Sequence, residues 1–173
     1  MMKAIQRILH FIILIICLVF QITLVERLKL YYINLDLVMI AIAGITIFDG
    51  MIYGVVYGFI AGMILDLMVG NVIGLSALIY ALNGYIVSKI INIGLKKKIF
   101  VYILAIFFIT EINLLTFTGV YYLFNFRASL GGLGLEIAIN PICNILLMFV
   151  LFPILQTGRE RKDEFGFLHK DEI

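Results

Sequence analysis

The sequence is poor in charged residues. Asp, Glu, Lys and Arg make up 14% of its 173 residues, whereas 64% of the residues are hydrophobic. A soluble domain of this length carries about a quarter charged residues, so the composition excludes that class. The hydrophobic residues form long uninterrupted blocks instead of alternating with polar ones, which excludes an outer-membrane barrel. The class that remains is all-α: a polytopic bundle of membrane-spanning helices.

Cysteine is scarce and tryptophan is absent. The two cysteines, Cys17 and Cys143, lie in the middle of hydrophobic blocks, so neither a disulfide nor a metal site is indicated. Without tryptophan, the aromatic belts at the membrane surfaces must be built from tyrosine.

Side chains that carry catalysis are few. The serines are Ser76, Ser88 and Ser129, and the histidines are His10 and His169. Ser76 and His10 are expected at opposite membrane surfaces, so they cannot form a nucleophile–base pair. The sequence has no HExxH motif, no glycine-rich phosphate loop and no CxxC motif. We therefore predict that the protein is not an enzyme, and we predict no cofactor.

Six hydrophobic blocks account for most of the chain, at residues 8–25, 35–48, 51–69, 72–95, 99–122 and 133–155. Because a membrane-spanning helix takes about 20 residues, these blocks predict one six-helix transmembrane domain over residues 1–156. The second block is short for a span. The polar remainder, residues 157–173, is expected to be a cytoplasmic tail.

Basic residues decide the expected orientation, because Lys and Arg near helix ends are retained in the cytoplasm. Three consecutive lysines, Lys96 to Lys98, follow the fourth block, and other basic residues lie in the first block's flank and in the tail. With both termini inside, only Arg27, Lys29 and Arg127 face outward. The sequence thus predicts a multi-pass protein of the cytoplasmic membrane with both termini in the cytoplasm.

Glycines recur at every fourth residue along the third block, and an aspartate takes one of the positions. This glycine stripe consists of Gly50, Gly54, Gly58, Gly62, Asp66, Gly70 and Gly74. Steps of four keep the positions on one slowly winding face, where the missing side chains let another helix approach closely. The stripe predicts helix packing within the bundle, docking of a single-span partner, or both.

Asp66 is the charged position of the glycine stripe. An ionised carboxylate in a bilayer costs about a few kcal/mol, so Asp66 is expected to be paired, hydrated or protonated. Sequence alone leaves two interpretations open. Asp66 is either a structural bracket of the Gly70-Asn71 turn or a contact for a partner or ligand.

A second set of polar residues is expected near the middle of the membrane. This midplane cluster consists of Asn83, Glu111, Asn140 and Asn144. Asn140 and Asn144 are four residues apart, as are Glu136 and Asn140, so these three share one face of the last helix. The cluster has two interpretations: hydrogen bonds that hold helices together, or a substrate or proton site.

The third and fourth blocks resemble one known family. Residues 54–78 read GVVYGFIAGMILDLMVGNVIGLSAL, and this glycine-spaced helix that ends in Gly-x-x-x-Asp, followed by a glycine turn and a new helix, is similar to the central motif of MreD. Asn140 followed by an apolar run also resembles the family, as do the length and the six-span layout. Asn34-Leu35-Asp36 stands where the family often has a proline-aspartate pair.

The resemblance implies a non-enzymatic membrane component of the bacterial complex that directs lateral peptidoglycan synthesis and maintains rod shape. Members of the family bind MreC, a protein with one span, and work with the MreB filament, a RodA-type glycosyltransferase and a transpeptidase penicillin-binding protein. The expected surroundings are membrane lipid, and no nucleic acid is expected. The family is also similar in helix arrangement to the substrate-binding components of energy-coupling-factor transporters, so a vitamin-type transporter component is the alternative.

Overall fold

A computed structural model describes residues 2–25, 34–69, 72–92, 98–124 and 133–156. Within these ranges the chain is all-α, as predicted, and has six helices. The helices are α1 (Met2–Phe20), α2 (Leu37–Asp49), α3 (Met51–Met68), α4 (Leu75–Ile91), α5 (Lys98–Leu123) and α6 (Leu133–Gln156). A π-helical turn, Gln21–Val25, continues α1.

Four of the helices are long and apolar enough to cross a membrane. Their apolar stretches are Gln6–Thr23, Met51–Met68, Ile99–Leu123 and Gly134–Leu155. The other two, α2 and α4, are shorter apolar helices of 13 and 17 residues. At about 1.5 Å per residue, α2 is roughly 20 Å long, which is less than the hydrocarbon core of about 30 Å. The six-span layout therefore stays a prediction.

The short helix α2 lies at the centre of the bundle. It packs against each of the other five described helices, and its residues from Val38 to Thr46 are all buried. A helix that is apolar on every side is suited to such a place. Because protein surrounds α2 instead of lipid, its length need not match the thickness of the bilayer.

Capping and glycine fix the two ends of α2. Asp36 caps the start of the helix, where its Oδ1 accepts a hydrogen bond from the Met39 N–H at 2.9 Å. At the other end Gly50 has a φ of +100°, a conformation that favours glycine, and its N–H donates to the Thr46 carbonyl at 3.0 Å. The chain turns back there, so that Gly54 on α3 lies against Thr46 on α2.

The bundle has two ends, which we name by their turns. At the Gly50 end, α2 passes into α3, and α4 and α6 finish nearby. At the Gly74 end, α3 finishes and α4 begins. Gly74 also has a positive φ, +93°, and occupies the N-cap of α4. The helix begins three residues after the predicted start at residue 72 because this left-handed residue precedes it.

Candidate functional site

The central part of the glycine stripe is packed against α4. A Cβ atom added at Gly58 would lie 2.5 Å from the carbonyl oxygen of Tyr80, and one added at Gly62 would lie 2.5 Å from the backbone nitrogen of Ala77. Both glycines are buried. The backbones of α3 and α4 are therefore in direct contact, which only glycine allows at these two positions.

Gly84 on α4 completes this contact, although the sequence analysis did not select it. A Cβ atom at Gly84 would lie 2.6 Å from the carbonyl carbon of Gly54, so glycine faces glycine across the helix pair. The small residues Ala77 and Gly84 are seven positions apart on α4, a spacing that keeps them on one helix face. This spacing of small residues could have predicted, from the sequence, a close-packing surface on α4 that faces the glycine stripe on α3.

The remaining glycines of the stripe differ in role. Gly50 and Gly74 lie at turns, have positive φ values and would meet no atom within 4 Å if a Cβ were added. They serve the backbone conformation and not the packing of helices. Gly70 lies outside the described residues.

Asp66 reaches from α3 to the start of α4. Its Oδ2 accepts hydrogen bonds from the N–H groups of Gly74 at 2.9 Å and Ala77 at 3.2 Å, and its Oδ1 accepts one from Ser76 at 3.1 Å. The side chain is only 2% exposed. The first N–H groups of a helix have no partners within the helix and carry partial positive charge. Asp66 supplies those partners from a neighbouring helix, a geometry that favours the structural interpretation.

Two members of the midplane cluster, Asn140 and Asn144, converge on the segment before α2. The Asn34 N–H donates to Oδ1 of Asn140 at 2.9 Å, and the Asp36 N–H donates to Oδ1 of Asn144 at 3.1 Å. Nδ2 of Asn144 donates to the Asn34 carbonyl at 3.4 Å and to the Thr110 hydroxyl at 3.3 Å. Both asparagines are 1% exposed. Their amides thus satisfy backbone groups that precede a helix and have no helical partner.

Two other helices hold the same segment. Gln21, in the π-helical turn, accepts from the Leu37 N–H at 3.0 Å and donates to the Leu35 carbonyl at 3.2 Å. The Tyr80 hydroxyl on α4 donates to Oδ2 of Asp36 at 2.9 Å. We call this set the α2 clamp; it consists of Gln21, Asp36, Tyr80, Asn140 and Asn144. Backbone groups outside a helix need protein partners where they are shielded from water, and the α2 clamp supplies them.

Asn83 and Glu111 do not join the α2 clamp. Both polar atoms of the Asn83 side chain are buried without a hydrogen-bond partner among the described residues, and so is Oε1 of Glu111. Asn113 is in an intermediate position: its Nδ2 donates to the Met39 sulfur at 3.2 Å, whereas its Oδ1 is buried without a partner. The predicted midplane cluster therefore divides into a clamped pair and two separate side chains.

At the Gly50 end, a buried histidine joins three helices. His10 on α1 is 3% exposed. Its Nδ1 lies 2.6 Å from Oδ2 of Asp49, the last residue of α2, and its Nε2 lies 2.8 Å from the carbonyl oxygen of Leu155 near the end of α6. The sequence indicated His10 only as a candidate base for a serine. Among the described residues, no group of three His, Cys, Asp or Glu side chains could hold a metal ion.

Replacing Asn144 tests the α2 clamp. Asn144→Ala removes hydrogen bonds to Asp36, Asn34 and Thr110, and we expect local protection at the start of α2 to fall by about 2 kcal/mol. Amide hydrogen exchange of Asp36 in lipid nanodiscs measures this. Leu146→Ala on the same helix, at a side chain that is 62% exposed, is the control and should leave the exchange unchanged. Unchanged exchange in Asn144→Ala would refute the clamp.

Comparison with known proteins gives a family match. A family model described as rod shape-determining protein MreD matches residues 2–158. The matched range includes all six described helices, the glycine stripe and the α2 clamp. No curated protein and no solved structure matches the chain.

Proposed function

This chain belongs to the MreD family of rod shape-determining proteins, and we propose that it acts as a membrane scaffold of the bacterial cell-elongation complex. Membership in this family shows that the chain is a membrane protein with a role in rod shape determination. The proposal adds that the protein works without catalysis. It holds an MreC-like single-span partner and thereby supports lateral peptidoglycan synthesis.

One observation carries the scaffold proposal: the buried polar side chains of the described bundle are mostly used to join helices. Asp66 binds the start of α4, and Asn140 and Asn144 bind the segment before α2. Together with the backbone contact between α3 and α4, these bonds favour one fixed arrangement of helices. A fixed surface is what a scaffold must offer to its partners.

We propose that the chain crosses the cytoplasmic membrane six times within one domain, residues 1–156, and that both termini and the tail, residues 157–173, are cytoplasmic. The Gly50 end is then the cytoplasmic end. Two basic residues support this orientation, since the Arg7 guanidinium lies 4.5 Å from the ring centre of Tyr53 and Lys89 lies in the last turn of α4, both at that end.

The glycine stripe belongs to the bundle's own packing in this proposal. Gly54, Gly58 and Gly62 are buried against α2 and α4, so a partner helix has no access to them. An MreC-like partner must instead contact exposed apolar side chains in the membrane. The proposed complex also includes the MreB filament, a RodA-type glycosyltransferase and a transpeptidase penicillin-binding protein, with membrane lipid around the remaining surface.

Depletion of the protein in its native host tests the function. We expect rod-shaped cells to become round when the protein is depleted, and the wild-type copy to restore the rods. Gly62→Leu should fail to restore them, because a branched side chain at this position separates α3 from α4. The matched control is Ile142→Ala, at a side chain that is 60% exposed, and it should restore rod shape. Cells that stay rod-shaped during depletion would refute the proposal.

A transporter component is the second candidate, and one observation favours it. Asn83, Asn113 and Glu111 each have a buried polar side-chain atom without a hydrogen-bond partner in the described part of the chain, and such atoms are available to a bound solute. In this case Glu111→Gln should abolish uptake of a small molecule. Measuring uptake in the depletion experiment separates the candidates: round cells without any uptake defect would remove this one.

A further inference from the structure

The contacts of His10 determine how many protons the imidazole ring carries. The Leu155 carbonyl oxygen can only accept a hydrogen bond, so Nε2, at 2.8 Å, must carry a hydrogen. An ionised Asp49 carboxylate can also only accept, so Nδ1, at 2.6 Å, must carry one as well. Both contacts are made at once only if the ring is an imidazolium, or if the proton of the Nδ1 contact resides on Asp49 instead.

The surroundings favour the imidazolium. In water, imidazole is a much stronger base than a carboxylate, and nearby negative charge favours keeping the proton on the ring. Asp49 is the last residue of α2 and Leu155 lies in the last turn of α6, and helix C-termini carry partial negative charge on carbonyl groups without helical partners. His10 therefore faces one carboxylate and two negative helix ends.

We propose that His10 and Asp49 form a proton-binding pair in which the protonated ring ties α1 to the ends of α2 and α6. Loss of the proton leaves a neutral ring with a single N–H. The remaining N–H stays with the charged Asp49 carboxylate, which is a stronger acceptor than a neutral carbonyl. The Leu155 contact is then lost, because it would place two lone pairs against each other. The tie is complete while the pair holds its proton and is broken as the pH rises.

Other titratable groups at the Gly50 end bear on the pH dependence. They include Arg7 on α1, Tyr53 on α3, Lys89 on α4 and Tyr102 on α5, and the sequence also places Lys3 and Lys98 in the first turns of α1 and α5. The Arg7 guanidinium lies over the Tyr53 ring and the Lys89 ammonium lies 5.2 Å from the ring centre of Tyr85. Both cations thus have aromatic partners, and the Asp49 carboxylate is in contact with His10.

Nitrogen NMR of the full-length protein in lipid nanodiscs tests the proposal. The protein is labelled with ¹⁵N-histidine, and His169→Gln leaves His10 as the only histidine signal. We expect both ring nitrogens of His10 to be protonated at neutral pH, and one to lose its proton at alkaline pH. A ring that already has a single protonated nitrogen at neutral pH would overturn the proposal.

A conservative variant separates the proton from the packing. In Asp49→Asn the new amide can donate to Nδ1 while Nε2–H still donates to Leu155, so the ring keeps both contacts without the extra proton. We expect one protonated ring nitrogen at neutral pH in this variant. Two protonated nitrogens in Asp49→Asn would show that the Asp49 carboxylate is not what keeps the ring protonated, and would overturn the proposal.

The structural consequence is measured by amide exchange in the last turn of α6. After correction for the intrinsic effect of pH on exchange, we expect wild-type exchange there to accelerate about tenfold when His10 loses its proton, because a hydrogen bond to a charged group is lost. Amides in the α3–α4 contact are the internal control. Unchanged corrected exchange in α6 would refute the tie. None of these measurements depends on cell shape. Their outcomes therefore test the His10–Asp49 pair independently of the scaffold proposal.

Discussion

Alanine at Gly58 or Gly62 is expected to destabilise the bundle strongly. The new Cβ at Gly58 would lie 2.5 Å from the Tyr80 oxygen and 2.8 Å from its carbonyl carbon, and the Cβ at Gly62 would lie 2.5 Å from both the nitrogen and the Cα of Ala77. Backbone atoms cannot rotate away as a flexible side chain does, so α3 and α4 must separate. Overpacking of this kind costs about 3 kcal/mol or more, a large share of the stability of a typical domain.

Gly119→Ala is the matched control for this experiment. Gly119 is also a glycine inside a helix, but a Cβ there would meet no atom within 4 Å. Since alanine favours helix over glycine by about 1 kcal/mol, this variant should be as stable as the wild type or more stable. Reversible unfolding in detergent micelles measures all three variants. If Gly58→Ala and Gly62→Ala were as stable as Gly119→Ala, the backbone contact between α3 and α4 would be refuted.

The helices could be predicted from the sequence because their signals are local. Long apolar blocks gave the number of described helices, and the break between the second and third blocks coincides with Gly50, a residue of positive φ. The predicted Gly70-Asn71 turn lies outside the described residues. The central place of α2 could not be predicted in this way. Its block differs from the others only in length, and the burial of its residues depends on contacts with all five other described helices, most of which are distant in sequence.

The candidate site shows the same division. The shared face of Asn140 and Asn144 follows from their spacing of four, but their partners Asn34 and Asp36 are more than 100 positions away in the chain. Depth in the membrane was the basis for grouping Asn83 and Glu111 with them. Two side chains at one depth can still point to different sides of a bundle. In the structure, the Asn83 side chain and Oε1 of Glu111 make no hydrogen bond to Asn140 or Asn144.

The glycine stripe illustrates how one pattern can combine two physical causes. Its spacing is regular from Gly50 to Gly74, yet Gly54, Gly58 and Gly62 provide close packing whereas the two terminal glycines provide positive φ. A spacing rule cannot separate these roles, because both select glycine. The two roles predict different results when glycine is replaced by alanine. In the packed positions the new Cβ collides with a neighbouring helix, whereas at Gly50 it meets no neighbour but the alanine must adopt a strained backbone conformation.

Removal of the Asp66 carboxylate is expected to be nearly as damaging as alanine in the glycine stripe. Asp66→Ala leaves the N–H groups of Gly74, Ser76 and Ala77 without their acceptor at a side chain that is 2% exposed. A buried donor without a partner costs about 1–3 kcal/mol, so the three together should lower the free energy of unfolding by at least about 3 kcal/mol. Detergent unfolding measures the loss, and faster amide exchange at Ser76 and Ala77 should accompany it.

Two further variants decide whether Asp66 acts through these bonds or only through its charge. Asp66→Asn keeps one acceptor oxygen, which in the place of Oδ2 can still serve Gly74 and Ala77, but its amide group would oppose the Ser76 N–H. We expect an intermediate loss of stability. Glu136→Ala removes an acid from the first turn of α6 and should cost less than about 1 kcal/mol, the usual size of a helix-dipole effect alone. If Asp66→Ala cost no more than Glu136→Ala, the carboxylate would not hold α4. The functional interpretation of Asp66, as a contact for a partner or ligand, would then be the stronger one, because the side chain would have no other reason to lie buried between two helices.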